Sequence, residues 1–343
     1  MQNKVTKEGD LLNSEGALVE CGYATSLIKT YDRSKIKAGK LRIKEWDYYL
    51  IYNEHYAVAI TVDDNSYMGL NSLTLIDFSK PEETTKSPMT FMTNGKTNFP
   101  STSIIGDVRV ENKNYKFEIL NDGKTRTINA FMKNFKNGND ITCEFVLTDE
   151  PKDSMVIMTP FKEKKTAFYY NQKIVGFKVR GVVKLGDETI EFGDDTRAIL
   201  DWGRGVWTYK NTWYWGAGCG VVDGKEIGFN IGYGFGDTSS ASENMLFIDG
   251  VAHKLEDVTF NIPKDKKGED DFMSPWTFTS SDKRFEMKFD PIIDRHSNAN
   301  VVIISSNQHQ VFGKFSGTMV LDDGSKVKLK NFLGFAEKVV NKW

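Results

Sequence analysis

One acid and one arginine, Asp201 and Arg204, lie inside the most aromatic stretch of this chain, Ile199 to Gly220. Four of the seven tryptophans (Trp202, Trp207, Trp213 and Trp215) fall within fourteen residues there, with Tyr209 and Tyr214 among them. Gly203 and Gly205 flank Arg204. An aromatic wall with a few polar groups set into it is how small-molecule pockets are built, since indoles and phenols join large apolar area to a polar handle. Burial among rings favours the protonated form of a carboxyl unless a cation holds it charged. Protonated, Asp201 is placed to deliver a proton to an alkene or polyene. Arg204 and Tyr209 would then orient it, and the π faces of Trp202, Trp207 and Tyr209 would stabilise the resulting cation. Charged, Asp201 and Arg204 form an ion pair inside a packed barrel core. The sequence leaves both readings open.

A second carboxylate cluster is Glu45-Trp46-Asp47. Strand alternation puts Glu45 and Asp47 on one face and Trp46 on the other. Two carboxylates so close can raise one pKa and make a general acid, whereas Arg42 and Lys44 nearby suggest a surface ion-pair patch. Other catalytic signatures are missing: the chain has no G-x-S-x-G, no H-E-x-x-H and no P-loop. Gly216-x-Gly218-x-Gly220 and Gly232-x-Gly234-x-Gly236 lack a βαβ setting and read as bulges and tight packing. His55, His253, His296 and His309 have no metal-ligand spacing, so neither metal nor cofactor is expected. Cys21, Cys143 and Cys219 contain no CxxC and fit a reducing compartment.

The elements that must carry these residues are strands. Period-2 alternation dominates and helical periodicity is almost absent. Tyr48 to Val62, Ser103 to Val110, Tyr115 to Leu120, Thr125 to Phe131 and Ile141 to Leu147 read as strands. So do Lys173 to Leu185, Thr189 to Phe192, Thr212 to Val222, Glu226 to Tyr233, Asn244 to Ile248, His253 to Asn261, Trp276 to Thr279, Phe285 to Phe289 and Val301 to Ile304. Val311 to Leu321 and Val327 to Glu337 form a closing hairpin. Asn121-Asp122-Gly123, Asn137-Gly138-Asn139, Gly186-Asp187, Asp223-Gly224 and Asp322-Asp323-Gly324 are turn signals. So many strands on short turns indicate an all-β barrel or sandwich. Trp46 to Asp77 and Trp213 to Asp249 repeat one strand order at similar spacing, which suggests two related units. The polar segment Asp149 to Ser154 places their boundary near Pro151, giving domains 1–150 and 151–343.

Composition excludes several classes. With 343 residues, 39% hydrophobic and 27% charged, the chain is ordinary globular material. The formal net charge of −2 gives no electrostatic reason to expect nucleic acid or an anionic membrane. No run of 18 apolar residues exists, so integral membrane contact is not expected. The N-terminal segment lacks the apolar core of a signal peptide, and a cytoplasmic location is expected.

Arg42-Ile-Lys-Glu-Trp-Asp-Tyr-Tyr49, Leu200-Asp-Trp-Gly-Arg-Gly-Val-Trp207, Asn211-Thr-Trp-Tyr-Trp-Gly216, Gly313-Lys-Phe-Ser-Gly317, Asp323-Gly324, Gly334-Phe-Ala-Glu337 and Trp343 together resemble the DUF2804 family. The resemblance runs over nearly the whole chain and is most specific in the Asp-Trp-Gly-Arg-Gly block. That family is similar in fold to double-lipocalin (calycin-like) proteins, among them AttH-like proteins, carotenoid hydratases and fungal cyclases of the Diels–Alderase type. The resemblance therefore implies two consecutive lipocalin-like β-barrels with little helix. It implies no activity, because the family's own label is unknown function; an acid set among aromatics is the shared theme.

The function expected is cofactor-independent acid–base chemistry (hydration, isomerisation or cyclisation) on a hydrophobic small molecule such as an isoprenoid, steroid or polyketide. Asp201, Arg204 and Tyr209 are the expected catalytic residues. Trp202, Trp207, Trp213, Trp215, Trp46, Glu45 and Asp47 are the expected ligand-binding ones. The alternative is a non-catalytic lipid carrier using the same pocket, and a third class is a scaffold whose tryptophans are sealed in a filled core. Trp213 and Trp215 are expected on one strand face and Tyr214 on the other.

Overall fold

The computed structural model describes residues 2–301 and 304–342, so the strand expected over 301–304 falls partly outside the described residues. Two large antiparallel sheets carry the chain. Beyond strands and loops the described residues contain only two short 3-10 turns, Arg33–Lys35 and Lys40–Arg42.

Both sheets follow one plan. In the first, Ile43–Tyr52, Tyr56–Asp64, Met68–Asp77 and Glu82–Lys86 form a meander. The free side of Ile43–Tyr52 pairs with the last strand of the unit, Arg197–Val206, which continues into Phe168–Leu185, Asn139–Thr148, Arg126–Lys136, Tyr115–Asn121 and Val108–Glu111. In the second, Lys210–Val222, Lys225–Tyr233, Met245–Ile248 and Val251–Lys254 form the meander. The free side of Lys210–Val222 pairs with the last strand, Lys326–Lys342, followed by Ile304–Val320, Phe285–Val301, Trp276–Ser280 and Val258–Asn261. First strand against last is the pairing that curls a meander towards a barrel. The far edges do return: Asn71 Nδ2 donates to the Tyr115 hydroxyl at 2.8 Å in the first unit, and Tyr233 and Phe260 meet at 5.5 Å in the second. These are the two lipocalin-like β-barrels, and the Trp46–Asp77 and Trp213–Asp249 echoes are the opening meanders of each.

Turn chemistry sets the registers. Asn137-Gly138 (φ 52° and 85°) and Asp223-Gly224 (φ 51° and 77°) have both central residues left-handed, the backbone of the two-residue hairpin that matches strand twist.

Two expectations need correction. Tyr48 to Val62 is not one strand, because the chain reverses at Asn53-Glu54-His55, where Asn53 Oδ1 accepts from the amides of His55 and Tyr56 at 2.9 Å. The change of sheet falls between Val206 and Lys210, not at Pro151. Met155–Pro160, Phe168–Leu185 and Arg197–Val206 all belong to the first sheet; the polar run before them is an exposed connection, and exposure alone marks no domain change. The aromatic stretch therefore spans both barrels: its first half closes one and its second half opens the other.

The barrels are filled differently. The second is packed with rings: Phe229, Phe278, Phe285, Phe289 and Phe315 meet at centroid distances from 4.6 to 6.0 Å. The first adds buried charge, including Asp47, Arg126 and Arg204, to its apolar core.

Candidate functional site

All ten residues of Arg197–Val206 are buried. Its neighbours fix what shares each face: Asp201 lies between Tyr48 and Lys173, Gly203 between Trp46 and Asn171, and Arg204 between Glu45 and Tyr170. Alternation then puts Asp201 and Arg204 on opposite faces. This corrects the expected partnership: Arg204 neither pairs with Asp201 nor orients it.

On the face turned into the first barrel, Arg204 is fully buried. Its Nη1 donates to Asp47 Oδ1 at 3.0 Å and to the carbonyls of Trp46 and Gly203 at 2.8 and 2.9 Å; Nη2 donates to Pro100 O at 3.1 Å. The guanidinium lies 4.3 Å from the Trp202 ring and 4.6 Å from Phe99. Burial pushes the Asp47 carboxyl up, and Arg204 holds it back. Glu45 accepts from the Tyr31 hydroxyl at 2.8 Å and pairs with Arg33. Glu45 and Asp47 share a face as expected, but they are buried in the barrel rather than set in a surface patch with Arg42 and Lys44. An open cavity of about 490 Å³ reaches Glu45, Arg33, Tyr31 and Phe99.

The opposite face meets the second barrel. Asp201 takes Lys173 Nζ at 2.8 Å and Asn171 Nδ2 at 2.6 Å. The same ammonium lies 3.8 Å from the Trp215 ring centre. Trp215 donates Nε1–H to Asn230 at 2.7 Å. Beside it, Glu337 of Lys326–Lys342 accepts from Trp213 Nε1 at 2.9 Å and from Gln310 Nε2 at 3.1 Å. Burial pushes Glu337 up to about 7, while the Trp213 hydrogen bond and Lys173 pull against it. Glu243 is also raised by burial, with Lys173 opposing and Asp201 reinforcing; its Oε2 is buried with no hydrogen-bond partner among the described residues. Asn230 and Lys254 also act against the rise, so burial is opposed but not overcome. Burial and then the fields of Glu243, Asp201 and Glu337 raise the Tyr169 hydroxyl well above its ordinary value.

An aromatic box covers these acids. Phe235 stands at its centre, 4.8 Å from Tyr169, 4.8 Å from Trp207 and 5.4 Å from Trp213. Trp46 closes the ring, stacked on Tyr169 at 6.1 Å and edge-on to Trp207 at 5.2 Å. Gly203 is what admits Trp46, because a Cβ there would fall inside the indole. Phe235 sits between Gly234 (φ 92°) and Gly236 (φ 73°), a left-handed frame that glycine tolerates without strain. Trp46, Trp213 and Glu243 keep intermediate exposure, so the box reaches the surface, but Phe235 fills its middle.

Of the expected residues, the structure gathers Asp201, Trp46, Trp207, Trp213 and Trp215 between the barrels. Trp202, Arg204, Glu45 and Asp47 face the first barrel's interior instead. Tyr209 lies in the link between the sheets at 43% exposure. As expected, Trp213 and Trp215 share a face, while Tyr214 turns to Tyr233 and Phe260 in the second barrel. The sequence reading missed Tyr169, Lys173, Phe235, Glu243 and Glu337 as site residues. Only Glu337 carried a signal, as the acid that ends Gly334-Phe-Ala-Glu337. Among the described residues no three metal-binding side chains converge.

A family model described as "Domain of unknown function (DUF2804)" matches residues 2–343. No curated protein sequence matches the chain. Among solved structures, an AttH-like protein from Nitrosomonas europaea superposes with a TM-score of 0.56 at 11% identity, covering 90% of this chain and 97% of that one. Kievitone hydratase from Nectria haematococca superposes with a TM-score of 0.51 at 12% identity, covering 98% of both chains. At such identities the likeness is one of fold.

Proposed function

The chain belongs to the DUF2804 family, whose description assigns no activity, and from the inter-barrel site we propose that it performs acid–base chemistry on a hydrophobic small molecule. The step is protonation of an electron-rich carbon–carbon double bond, the shared start of hydration, isomerisation and cyclisation. Glu337 gives up its proton to one alkene carbon, and the carbocation formed at the other lies against the π faces of Trp46, Trp207 and Trp213. Water adding to that cation returns a proton to the carboxylate, so hydration regenerates the acid. Asp201 keeps a supporting part: it fixes Lys173, whose charge tunes Glu337 and Glu243. The ligand enters by displacing Phe235 from the box. An isoprenoid, steroid or polyketide-like molecule fits such a lining.

The observation that carries this reading is Glu337, a buried acid raised to about 7 and one indole hydrogen bond from the aromatic box. A general acid is most effective with a pKa near the working pH. The hydratase among the fold relatives agrees with the reaction class without identifying the substrate. Native mass spectrometry of freshly purified protein supplies the ligand. With that ligand, Glu337→Gln should lower turnover by about 10²–10⁴-fold and leave affinity nearly unchanged. Binding with no turnover in the wild type would make the protein a carrier and overturn the proposal.

A further inference from the structure

The net charge of −2 conceals a sharp segregation. Residues 33–44 hold six cations (Arg33, Lys35, Lys37, Lys40, Arg42 and Lys44) and no acid. Residues 84–106 hold Lys86 and Lys96 and again no acid. The fold brings these segments to one rim of the first barrel. Ser66 Oγ donates to Ile43 O at 2.9 Å, the Asn94 amide donates to Ser66 O at 2.9 Å, and the Met92 amide donates to Tyr67 O at 2.8 Å. Gly95 packs directly on the Arg33 guanidinium.

The same rim exposes apolar side chains that a soluble surface normally scatters. Leu41 is 45% exposed, Met89 55%, Phe91 75% and Met92 53%. Lys37, Lys40 and Lys96 are exposed on the same two segments, while Lys86, also exposed, donates to Asn134 O. Much of the rim's charge is met locally: Arg33 pairs with Glu45, Lys35 pairs with Asp10 at 2.7 Å, and Arg42 donates to Trp207 O at 2.5 Å. Lys44 is buried with Nζ donating to Asn65 O at 3.3 Å, and Asp64 accepts from Thr93 and Gly95, which leaves the exposed lysines to act outward. The cavity bounded by Arg33, Gly95 and Phe99 opens between the two segments.

We propose that this rim docks the protein on an anionic lipid bilayer, with Leu41, Met89, Phe91 and Met92 entering the interface and the surrounding lysines meeting the headgroups. Apolar tips ringed by Lys and Arg are the chemistry of interfacial binding, and each basic residue near an anionic leaflet adds to the attraction. A nucleic acid uses the cations equally well but gains little from Leu41, Met89 and Met92, which have no π face on which a base can stack. The inference stands apart from the inter-barrel chemistry, because no residue of the aromatic box takes part.

The test is co-sedimentation of the full-length protein with vesicles of pure phosphatidylcholine and with vesicles holding roughly 30% phosphatidylserine, in about 0.1 M salt. Partitioning should require the anionic lipid. Lys37→Glu/Lys40→Glu should weaken it by at least about tenfold, and Phe91→Ser by about tenfold through lost apolar burial. These side chains are exposed, and unchanged melting temperatures confirm that the variants fold. Lys328→Glu/Lys330→Glu, the same charge change on exposed residues of the second barrel, should leave partitioning unaltered. Three outcomes each overturn the proposal: no partitioning onto anionic vesicles, equal loss in the control variant, or binding of a single-stranded RNA oligonucleotide without binding of vesicles.

Discussion

The strand Arg197–Val206 is buried throughout, yet its two faces handle charge in opposite ways. Towards the first barrel's interior, Arg204 and Asp47 match one to one, and the guanidinium is held by two rings and three carbonyls. Towards the second barrel, Asp201, Glu243 and Glu337 share the field of Lys173, whose ammonium pairs with Asp201. Arg295 also acts on Glu337 and Lys254 on Glu243, but Arg295 donates to Gln310 and Lys254 to Ser242, Asn244 and Leu255. A matched buried pair needs no proton to satisfy it. A buried carboxylate with no cation in contact favours its proton instead. The two faces therefore differ in how directly their carboxylates are paired.

Removing the arginine separates the faces most strongly. Arg204→Met leaves Asp47 buried without its cation and should cost roughly 3–5 kcal/mol, the range for breaking a buried pair. Arg204→Met/Asp47→Leu should recover most of that. Guanidinium-chloride unfolding measures both, and a single-variant loss below about 1 kcal/mol would mean that the interior pair is not structural.

The acid-rich face has the reverse signature. Glu337 rises from 4.5 to about 7 in the folded protein, so the native state holds a proton that the unfolded chain releases. The stability it contributes is full below about 4.5 and is lost as pH rises through about 7. That window is worth about 3 kcal/mol. Glu337→Gln should match the wild type at the acid end and exceed it by about that amount above pH 7. Asp63, also raised to about 7 by burial, has the same sign, so the difference between the two proteins isolates Glu337. Parallel stability curves for the two would show that Glu337 is not raised by folding.

A smaller effect probes the box. Gly203→Ala pushes a methyl into the Trp46 indole and should cost about 1–3 kcal/mol by overpacking. Trp46→Leu in the same chain should relieve most of that penalty. Additive losses would show that Trp46 does not lie over Gly203.

How legible this was in the sequence follows from which faces are covered. Strands with one wet face, such as Tyr115–Asn121 and Asn139–Thr148, alternate cleanly and were found, as were their Asn-Gly and Asp-Gly turns. Arg197–Val206 is dry on both faces, so its residues do not alternate, and the most informative block in the chain was not recognised as a strand. The expected Asp201–Arg204 pair fails because residues three apart on a strand point to opposite faces. Lys173 and Glu337 come near Asp201 through strand pairing across long sequence distance, and Glu243 from the loop before Met245–Ile248, and no local pattern records that. The sheet boundary is hidden for a related reason, since the chain crosses between barrels inside its most aromatic stretch.

The direct measurement is the titration of Glu337 in the intact protein, followed by NMR of ¹³C-labelled glutamate carboxyls. One resonance should titrate near pH 7, vanish in Glu337→Gln and move to a higher midpoint in Trp213→Phe, because the indole hydrogen bond lowers that pKa. If Glu337 titrates with the exposed glutamates near 4.3, the inter-barrel site holds no acid ready to give up a proton at neutral pH, and the proposed chemistry fails.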